Sequence, residues 1–186
     1  MNYLHTRGFT LIETIIVIAL SVSMLIVLSL LIRSFNNSYL YEQSSALSAE
    51  SVRSIIREIE SLTAVADHVL QSHVFSGTTY TSSSAVLILE IPSIDSSGTV
   101  ISNTYDYAVF YTNGTNAYRI LEANASSKRT SGTKQLSSTV SSLTFSYDNA
   151  DFTLVQSVTV DVQTLSQSRG QDSVDHRNEQ MYMRNF

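Results

Sequence analysis

The spacing of apolar residues divides the chain into three parts with different periodicity. Residues 9–32 are predominantly apolar and carry a single charge, on Glu13. As a helix, this stretch would be about 36 Å long at about 1.5 Å per residue, which exceeds a bilayer hydrocarbon core of about 30 Å. The pattern therefore predicts a transmembrane helix over residues 9–33.

The helical spacing continues beyond this stretch but becomes amphipathic. Neither proline nor glycine interrupts residues 9–76. Apolar positions recur three and four residues apart: Leu40, Leu47, Val52, Ile55, Ile56, Ile59, Leu62, Ala66 and Val69. This pattern predicts an amphipathic helix over residues 34–70, with Arg53 and Arg57 among the charged residues on its solvent side.

From residue 85 the period of the apolar positions changes to two, which is typical of β-strands. Residues 86–91 form a strongly apolar strand that we expect to stop at Pro92, and Asn113-Gly114 is a hairpin signal. Further strands are indicated by alternation at Tyr105, Tyr107, Val109 and Tyr111, at Leu143, Phe145 and Tyr147, and at Val158, Val160 and Val162.

These patterns predict an α+β fold. The strands have hydrophobic faces that need a cover, so we expect the long N-terminal helix to pack on an antiparallel sheet through residues 52–70. The sheet should cover about residues 85–164, with a loop at 122–139. The C-terminal segment, residues 165–186, should be polar and flexible up to residue 180. Residues 34–186 together have the size of one compact globular domain.

A short polar leader precedes the apolar stretch and joins it through the string RGFTLIE, residues 7–13. An export signal would have a shorter apolar region followed by a small-x-small cleavage site, and residues 33–35 do not fit such a site. A plain membrane anchor would fit the length but would not explain Glu13. A carboxylate in a membrane helix is costly, so it either snorkels to the headgroups or has a partner.

This string resembles the class III signal of the type IV pilin superfamily, which includes pilins and the pseudopilins of type II secretion and of DNA-uptake machines. The resemblance implies that residues 1–8 are a prepilin leader peptide. A prepilin peptidase would cut between Gly8 and Phe9 on the cytoplasmic face and N-methylate Phe9. Glu13 would pair with the Phe9 ammonium of a neighbouring subunit, which would relieve the cost of the buried carboxylate.

The end of the chain carries a second resemblance. Residues 181–185, MYMRN, are similar to the hydrophobic-x-Leu-Arg-Asn ending of many minor pilins and J-like pseudopilins, with Met183 in place of Leu. Glu13 argues against the K-like tip pseudopilin, which typically lacks it. We therefore expect a minor pilin or pseudopilin of a type IV pilus or related filament. The alternatives are a pseudopilin of type II secretion or of competence DNA uptake, or a membrane-anchored binding domain.

The resemblance also implies the partners and the location. The partners would be other pilin or pseudopilin subunits, prepilin peptidase, the inner-membrane assembly platform and the lipid bilayer. The chain would cross the inner (cytoplasmic) membrane once, with a cytoplasmic N-terminus, and then enter an extracytoplasmic or cell-surface filament. The formal net charge of −5 argues against a large nucleic-acid-binding surface. A small basic patch would still be compatible with DNA binding, but no residue pattern supports it.

Residues with catalytic or metal-binding chemistry are sparse. The chain has no cysteine, which excludes thiolate zinc sites and cysteine nucleophiles. His68 and His73 are not spaced as a metal-binding pair on one helix face, and no nucleophile elbow or phosphate loop occurs. Residues 95–98 and 148–151 lack the spacing of a calcium loop and are interpreted as turns. We therefore expect no enzyme activity, no cofactor and no metal.

The chain has ten tyrosines, several of them on one predicted strand. Tyr105, Tyr107 and Tyr111 alternate, so their rings would offer a stacking surface for ligands or bases if the rings were exposed. No cluster of Lys or Arg accompanies the rings. We therefore favour packing of these rings within the strand layer.

Overall fold

The computed structural model describes residues 10–168 and 171–183. Contacts between residues divide the chain into two compact units. The first unit ends at Glu42 and the second begins at Gln43.

One α-helix, α1, spans Leu11–Thr63 and contributes to both units. All its side chains up to residue 39 are exposed, including the whole apolar stretch. Among the described residues, α1 is the one helix long and apolar enough to span a membrane. The predicted transmembrane helix is therefore present as a helix with an apolar, uncovered surface.

The part of α1 that belongs to the second unit is amphipathic, as predicted. Val52, Ile55 and Ile59 are fully buried, whereas Arg53 and Arg57 on the other side are exposed. These buried positions are three and four residues apart, so they form one apolar stripe along the helix.

The helix ends at Thr63, which corrects the predicted end at residue 70. The N–H of Ala66 donates to the carbonyl of Thr63 at 3.1 Å, an i to i+3 bond of the kind that tightens a helix end. The N–H of Asp67 then donates to the carbonyl of Glu90 at 2.8 Å. The helical spacing of apolar residues continues here, but pairing with a distant strand takes the backbone out of the helix.

Ten antiparallel strands occur within the described residues. Their bounds are β1 His68–Val69, β2 Ser72–Phe75, β3 Thr78–Thr81, β4 Val86–Ile94, β5 Val100–Asn113, β6 Asn116–Glu122, β7 Gly132–Ser137, β8 Val140–Tyr147, β9 Ser157–Ser168 and β10 Gln171–Tyr182. The five-stranded sheet has the order β1-β4-β5-β6-β7, the three-stranded sheet has the order β10-β9-β8, and β2 pairs with β3. A short 3₁₀ helix, Phe152–Leu154, precedes β9.

The main core joins the buried stripe of α1 to residues from both larger sheets. Buried members from the strands include Leu87, Leu89, Ile91, Phe110, Phe145, Val158, Val160 and Val162. The predicted α+β fold, with a long helix packed on antiparallel sheet, is therefore confirmed.

A second, smaller core includes the tyrosines of β5. Phe75, Ile88 and Val109 are buried there, and Tyr107 and Tyr111 are half-buried against them. The rings also contact one another: Tyr111 lies 5.1 Å from Tyr80 and 5.6 Å from Tyr118 between centroids. Packing therefore accounts for the positions of Tyr107 and Tyr111, as we favoured from the sequence.

Strand β4 does not stop at Pro92 but continues to Ile94. Pro92 pairs with Tyr105 of β5, and the register shifts between Pro92 and Ile94. On its other side β4 pairs with β1 only at Leu89 and Glu90. A proline, which lacks an N–H donor, is tolerated at this position because one side of the strand has no ladder partner there.

Two segments predicted as loop or flexible chain contain strands. The expected loop at 122–139 contains β7, an edge strand of the five-stranded sheet. The expected flexible segment at 165–180 contains the end of β9 and most of β10, which pair from Ser157↔Tyr182 to Ser168↔Gln171. The side chains of the two edge strands β7 and β10 are mostly exposed and polar, so these strands lack the apolar alternation that identifies a half-buried strand.

Candidate functional site

The predicted processing site adjoins the first described residue. Gly8 and Phe9 lie outside the described residues, as do Arg184 and Asn185 of the C-terminal motif. The cleavage between Gly8 and Phe9, the methylation of Phe9 and the pairing of its amine with Glu13 therefore stay predictions.

Glu13 lies in the first turn of α1, where it is bonded to Thr10. The backbone N–H and the hydroxyl of Thr10 both donate to Glu13 Oε2 at 2.9 Å. In return, the N–H of Glu13 donates to Thr10 Oγ1 at 3.4 Å. This reciprocal arrangement is a capping box, which satisfies helix-terminal N–H groups and places a carboxylate at the positive end of the helix dipole.

The capping box gives Glu13 a role that the sequence analysis missed. The sequence contains the signal for this role, because a threonine three positions before a glutamate at the start of an apolar run is a helix-start pattern. Glu13 had been assigned only an intersubunit pair or an interaction with headgroups. Within the described residues, Glu13 therefore already has a partner in its own chain.

A second group of ionisable side chains forms where β1 pairs with β4. Asp67 Oδ2 lies 3.4 Å from His68 Nδ1, and Glu90 Oε1 lies 3.6 Å from His68 Nε2. The exposed fractions of the Asp67, His68 and Glu90 side chains are 35, 30 and 13%. The imidazole ring therefore lies between two carboxylates that solvent can reach.

From the sequence, His68 is expected near a helix end and to have no metal role. Asp67 precedes His68 directly in the sequence, but Glu90 was missed because only the β1–β4 pairing, in which His68 is opposite Glu90, brings it to them. A cleft of about 400 Å³ opens beside His68, lined by residues 68–72 and 150–153. The group thus has access to solvent and to small solutes.

His73 does not belong to this group. It lies on β2, where its ring stacks on Tyr107 with centroids 3.9 Å apart. Its Nε2 lies 3.7 Å from Glu122 Oε2. The two histidines therefore have different carboxylate neighbours.

Asp106 on β5 is the one fully buried charged residue among the described residues. Its Oδ2 accepts from Arg129 Nη1 and from Ser127 Oγ, each at 2.7 Å. Its Oδ1 accepts from Ser93 Oγ and from the N–H of Asn124, each at 2.8 Å. Burial opposes ionisation, but these bonds outweigh it and hold the pKa of Asp106 below its usual range.

This carboxylate has a structural role. Its bonding positions are used by residues of β4 and of the connection 123–131, so Asp106 fastens that connection to the sheet. Because Asp106 is buried and all its hydrogen bonds are to protein groups, it is not placed to bind a substrate. The sequence does not reveal this role because the partners of Asp106 are far apart along the chain.

Two short acidic segments, residues 95–98 and 148–151, form turns as predicted. Asp95 Oδ1 accepts from the N–H of Ser97 at 2.8 Å and from the N–H of Thr99 at 2.9 Å. Asp151 caps the 3₁₀ helix by accepting from the N–H of Thr153 at 3.0 Å. Hydrogen bonds from the side-chain hydroxyls of Ser97 and Thr153, together with these backbone bonds, hold the pKa of Asp95 and of Asp151 below the usual value for aspartate.

No protein-family model matches this chain, and no curated protein or solved structure shows significant similarity to it. The functional assignment therefore depends on the residues themselves and on the fold.

Proposed function

We propose that this protein is a structural subunit, a minor pilin or pseudopilin, of a type IV pilus or a related filament. The observation that carries the proposal is the string at residues 7–13 directly before α1. That helix has an apolar, membrane-length first part, and its last part packs on antiparallel sheet. The string supports processing by a prepilin peptidase, and the helix supports membrane storage before assembly.

In this function the leader is removed after Gly8, and Phe9 becomes the methylated N-terminus. The apolar part of α1 then holds the subunit in the inner membrane, with a single span and a cytoplasmic N-terminus. Other pilin or pseudopilin subunits and the assembly platform draw the helix into the filament. The protein itself catalyses no reaction, and an assembly ATPase elsewhere supplies the work.

Processing tests this proposal directly. The full chain is expressed with and without a prepilin peptidase, and the membrane-bound product is analysed by N-terminal sequencing and intact mass. With the peptidase, we expect a chain that begins at N-methylated Phe9. A Gly8→Val variant should stay at full length, whereas the leader variant Thr6→Ala, which leaves the junction intact, should be cleaved normally. A product that begins at Met1, or one cut after residue 32, would overturn the proposal.

Incorporation of this chain into filaments distinguishes a filament subunit from a domain that uses the helix only as a membrane anchor. Sheared filaments are collected from cells that express the processed chain, and the amount of this subunit in filaments is compared with the amount in membranes. We expect a measurable fraction in the filaments. A correctly processed chain found only in membranes would favour the anchored binding domain. Filaments of a secretion or DNA-uptake apparatus, rather than a surface pilus, would select the pseudopilin alternative.

A further inference from the structure

The group of Asp67, His68 and Glu90 has a geometry that its own contacts do not explain. The two contacts of the imidazole, at 3.4 and 3.6 Å, are longer than N–H to oxygen hydrogen bonds, which are about 2.7–3.2 Å. Two carboxylates nevertheless face one ring from opposite sides. One imidazole and two carboxylates lie close together here and supply the donor types of a cation site, with the two carboxylates at different nitrogens of the ring.

The donors are close enough for side-chain rotation to bring them to one ion. The three ligand atoms lie within 4.8 Å of one another. In a tetrahedral zinc site, with metal–ligand bonds of about 2.0–2.2 Å, neighbouring ligand atoms are about 3.4 Å apart. One ring nitrogen would bind the ion, and the carboxylate that faces the other nitrogen would reach it by rotating about its own side-chain bonds.

We propose that Asp67, His68 and Glu90 bind a divalent transition-metal ion of the zinc class. Imidazole nitrogen favours such ions over calcium and magnesium, which prefer all-oxygen sites. Because the three side chains are partly exposed, water fills the remaining coordination position. This site is independent of the filament assignment, since its residues lie far along the chain from the processing junction.

Strand pairing fixes the backbone of the three residues before any ion binds. His68 and Glu90 are directly opposite each other in the β1–β4 ladder, and the N–H of Asp67 donates to the carbonyl of Glu90 at 2.8 Å. Their neighbours Val69 and Leu89 are buried in the main core. A site on packed strands costs less ordering on binding than a site on a mobile loop.

Other histidines in the described part of the chain lack this arrangement. His176 Nε2 lies 2.9 Å from Asp161 Oδ2, and Asn178 also donates to that oxygen at 3.0 Å. This pair is a satisfied hydrogen-bonded contact with a single carboxylate. His176 therefore provides a matched control, because it is an exposed histidine beside an aspartate with no third ligand.

Isothermal titration calorimetry with ZnCl₂ tests the site. The full-length chain is purified in detergent without a polyhistidine tag, and ZnCl₂, CaCl₂ and MgCl₂ are titrated separately. We expect saturable zinc binding with one ion per chain, and affinity for calcium and magnesium lower by about tenfold or more. His68→Ala and Glu90→Gln should each weaken zinc binding by about tenfold or more, because a site with two ligands remains. His176→Ala should bind zinc as the unchanged chain does.

Several outcomes would overturn the proposal. These are no saturable zinc binding, unchanged affinity in His68→Ala, or an equal loss in His176→Ala. Calcium that binds as tightly as zinc and is unaffected by His68→Ala would indicate a purely acidic site and would also overturn it. If circular dichroism shows that His68→Ala does not fold, Glu90→Gln decides, since it keeps the side-chain shape, and unchanged zinc affinity in that variant would contradict the site.

Discussion

Arg129 joins two neighbouring strands through a single guanidinium nitrogen. Its Nη1 lies 2.7 Å from Oδ2 of the buried Asp106 on β5 and 2.6 Å from the carbonyl oxygen of Pro92 on β4. The Pro92 carbonyl lies beyond the short β1 strand, so the Arg129 side chain supplies the donor that a neighbouring strand would otherwise provide. This contact fixes both the buried charge and the irregular end of β4.

The first prediction concerns the charge of Asp106. Asp106→Asn keeps the shape of the side chain but leaves Arg129 without its counter-ion in a buried position. Breaking a buried pair in this way costs about 3 kcal/mol or more of unfolding free energy. The measurement is chemical unfolding of the full chain in detergent, followed by near-UV circular dichroism. Asp95→Asn, in an exposed turn, is the control and should change stability little. Equal effects of the two substitutions would show that burial of Asp106 does not matter.

The second prediction concerns acid. The pKa of Asp106 is lowered in the fold, and an unfolded aspartate titrates near about 3.9. Its ionised form therefore stabilises the fold fully above about pH 4, and this contribution is lost as the pH falls through the lower, folded pKa. We expect the unfolding midpoint of the unchanged chain to fall more steeply below about pH 4 than that of Asp106→Asn. The unfolding midpoints of both proteins are measured from about pH 2.5 to about pH 6. Parallel curves of midpoint against pH would contradict this assignment.

The third prediction concerns Glu58, which connects α1 to the five-stranded sheet. Arg119 Nη1 donates to its Oε1 and Lys134 Nζ donates to its Oε2, each at 2.6 Å. Glu58→Gln should lower the free energy of unfolding by about 2 kcal/mol, because hydrogen bonds to a charged group are lost and Arg119 is only 17% exposed. Glu60→Gln, at an exposed position of the same helix, should have a negligible effect in the same unfolding experiment. A Glu58 variant as stable as the Glu60 variant would show that the two ion pairs contribute nothing measurable.

The fourth prediction separates the two roles of Glu13. Glu13→Val should still be cleaved and inserted, because valine costs less in lipid than a carboxylate. If Glu13 pairs with a neighbouring Phe9 amine, incorporation of this variant into sheared filaments should fall relative to the amount in membranes. If Glu13 only snorkels, the substitution should be harmless or favourable. Recruitment through the globular part would make the loss partial.

The capping box supplies the controls for this experiment. Glu13→Gln keeps a side chain that can complete the box with Thr10 but removes the charge. Thr10→Val removes the hydroxyl half of the box and keeps the charge. A charge-pair mechanism predicts a larger loss of incorporation for Glu13→Gln, and a helix-capping role predicts a larger loss for Thr10→Val. Full incorporation of Glu13→Gln would therefore rule out the charge pair.

The fifth prediction concerns the second unit alone. A fragment that begins at Gln43 lacks the apolar stretch but keeps the buried stripe of α1 and every described strand. We expect it to be soluble and to show mixed helix and strand by circular dichroism, because its core residues all lie within the fragment. An unfolded or purely helical fragment would contradict its independence.

The sequence by itself determined the elements whose stability comes from a continuous apolar face or a local turn. Three such patterns predicted the right element. The apolar stretch before residue 33 and the stripe of Val52, Ile55 and Ile59 are helical, and the alternation of Val158, Val160 and Val162 lies on a strand. The hairpin at Asn113-Gly114 is also local, since Gly114 has φ +61°, a conformation that glycine adopts without strain. In each case neighbouring residues carry the signal.

The tertiary structure alone decided the features that depend on partners distant in the chain. The helix ends at Thr63 because the following backbone pairs with β4, although the apolar spacing continues. The strands β7 and β10 are stabilised by backbone hydrogen bonds to neighbouring strands, which leave no periodic trace in mostly polar, exposed side chains. The pair of Asp106 with Arg129 and the group around His68 arise for the same reason. Strand pairing and the course of the connection 123–131 bring together charged residues that the sequence keeps apart, and only the complete fold determines their distances.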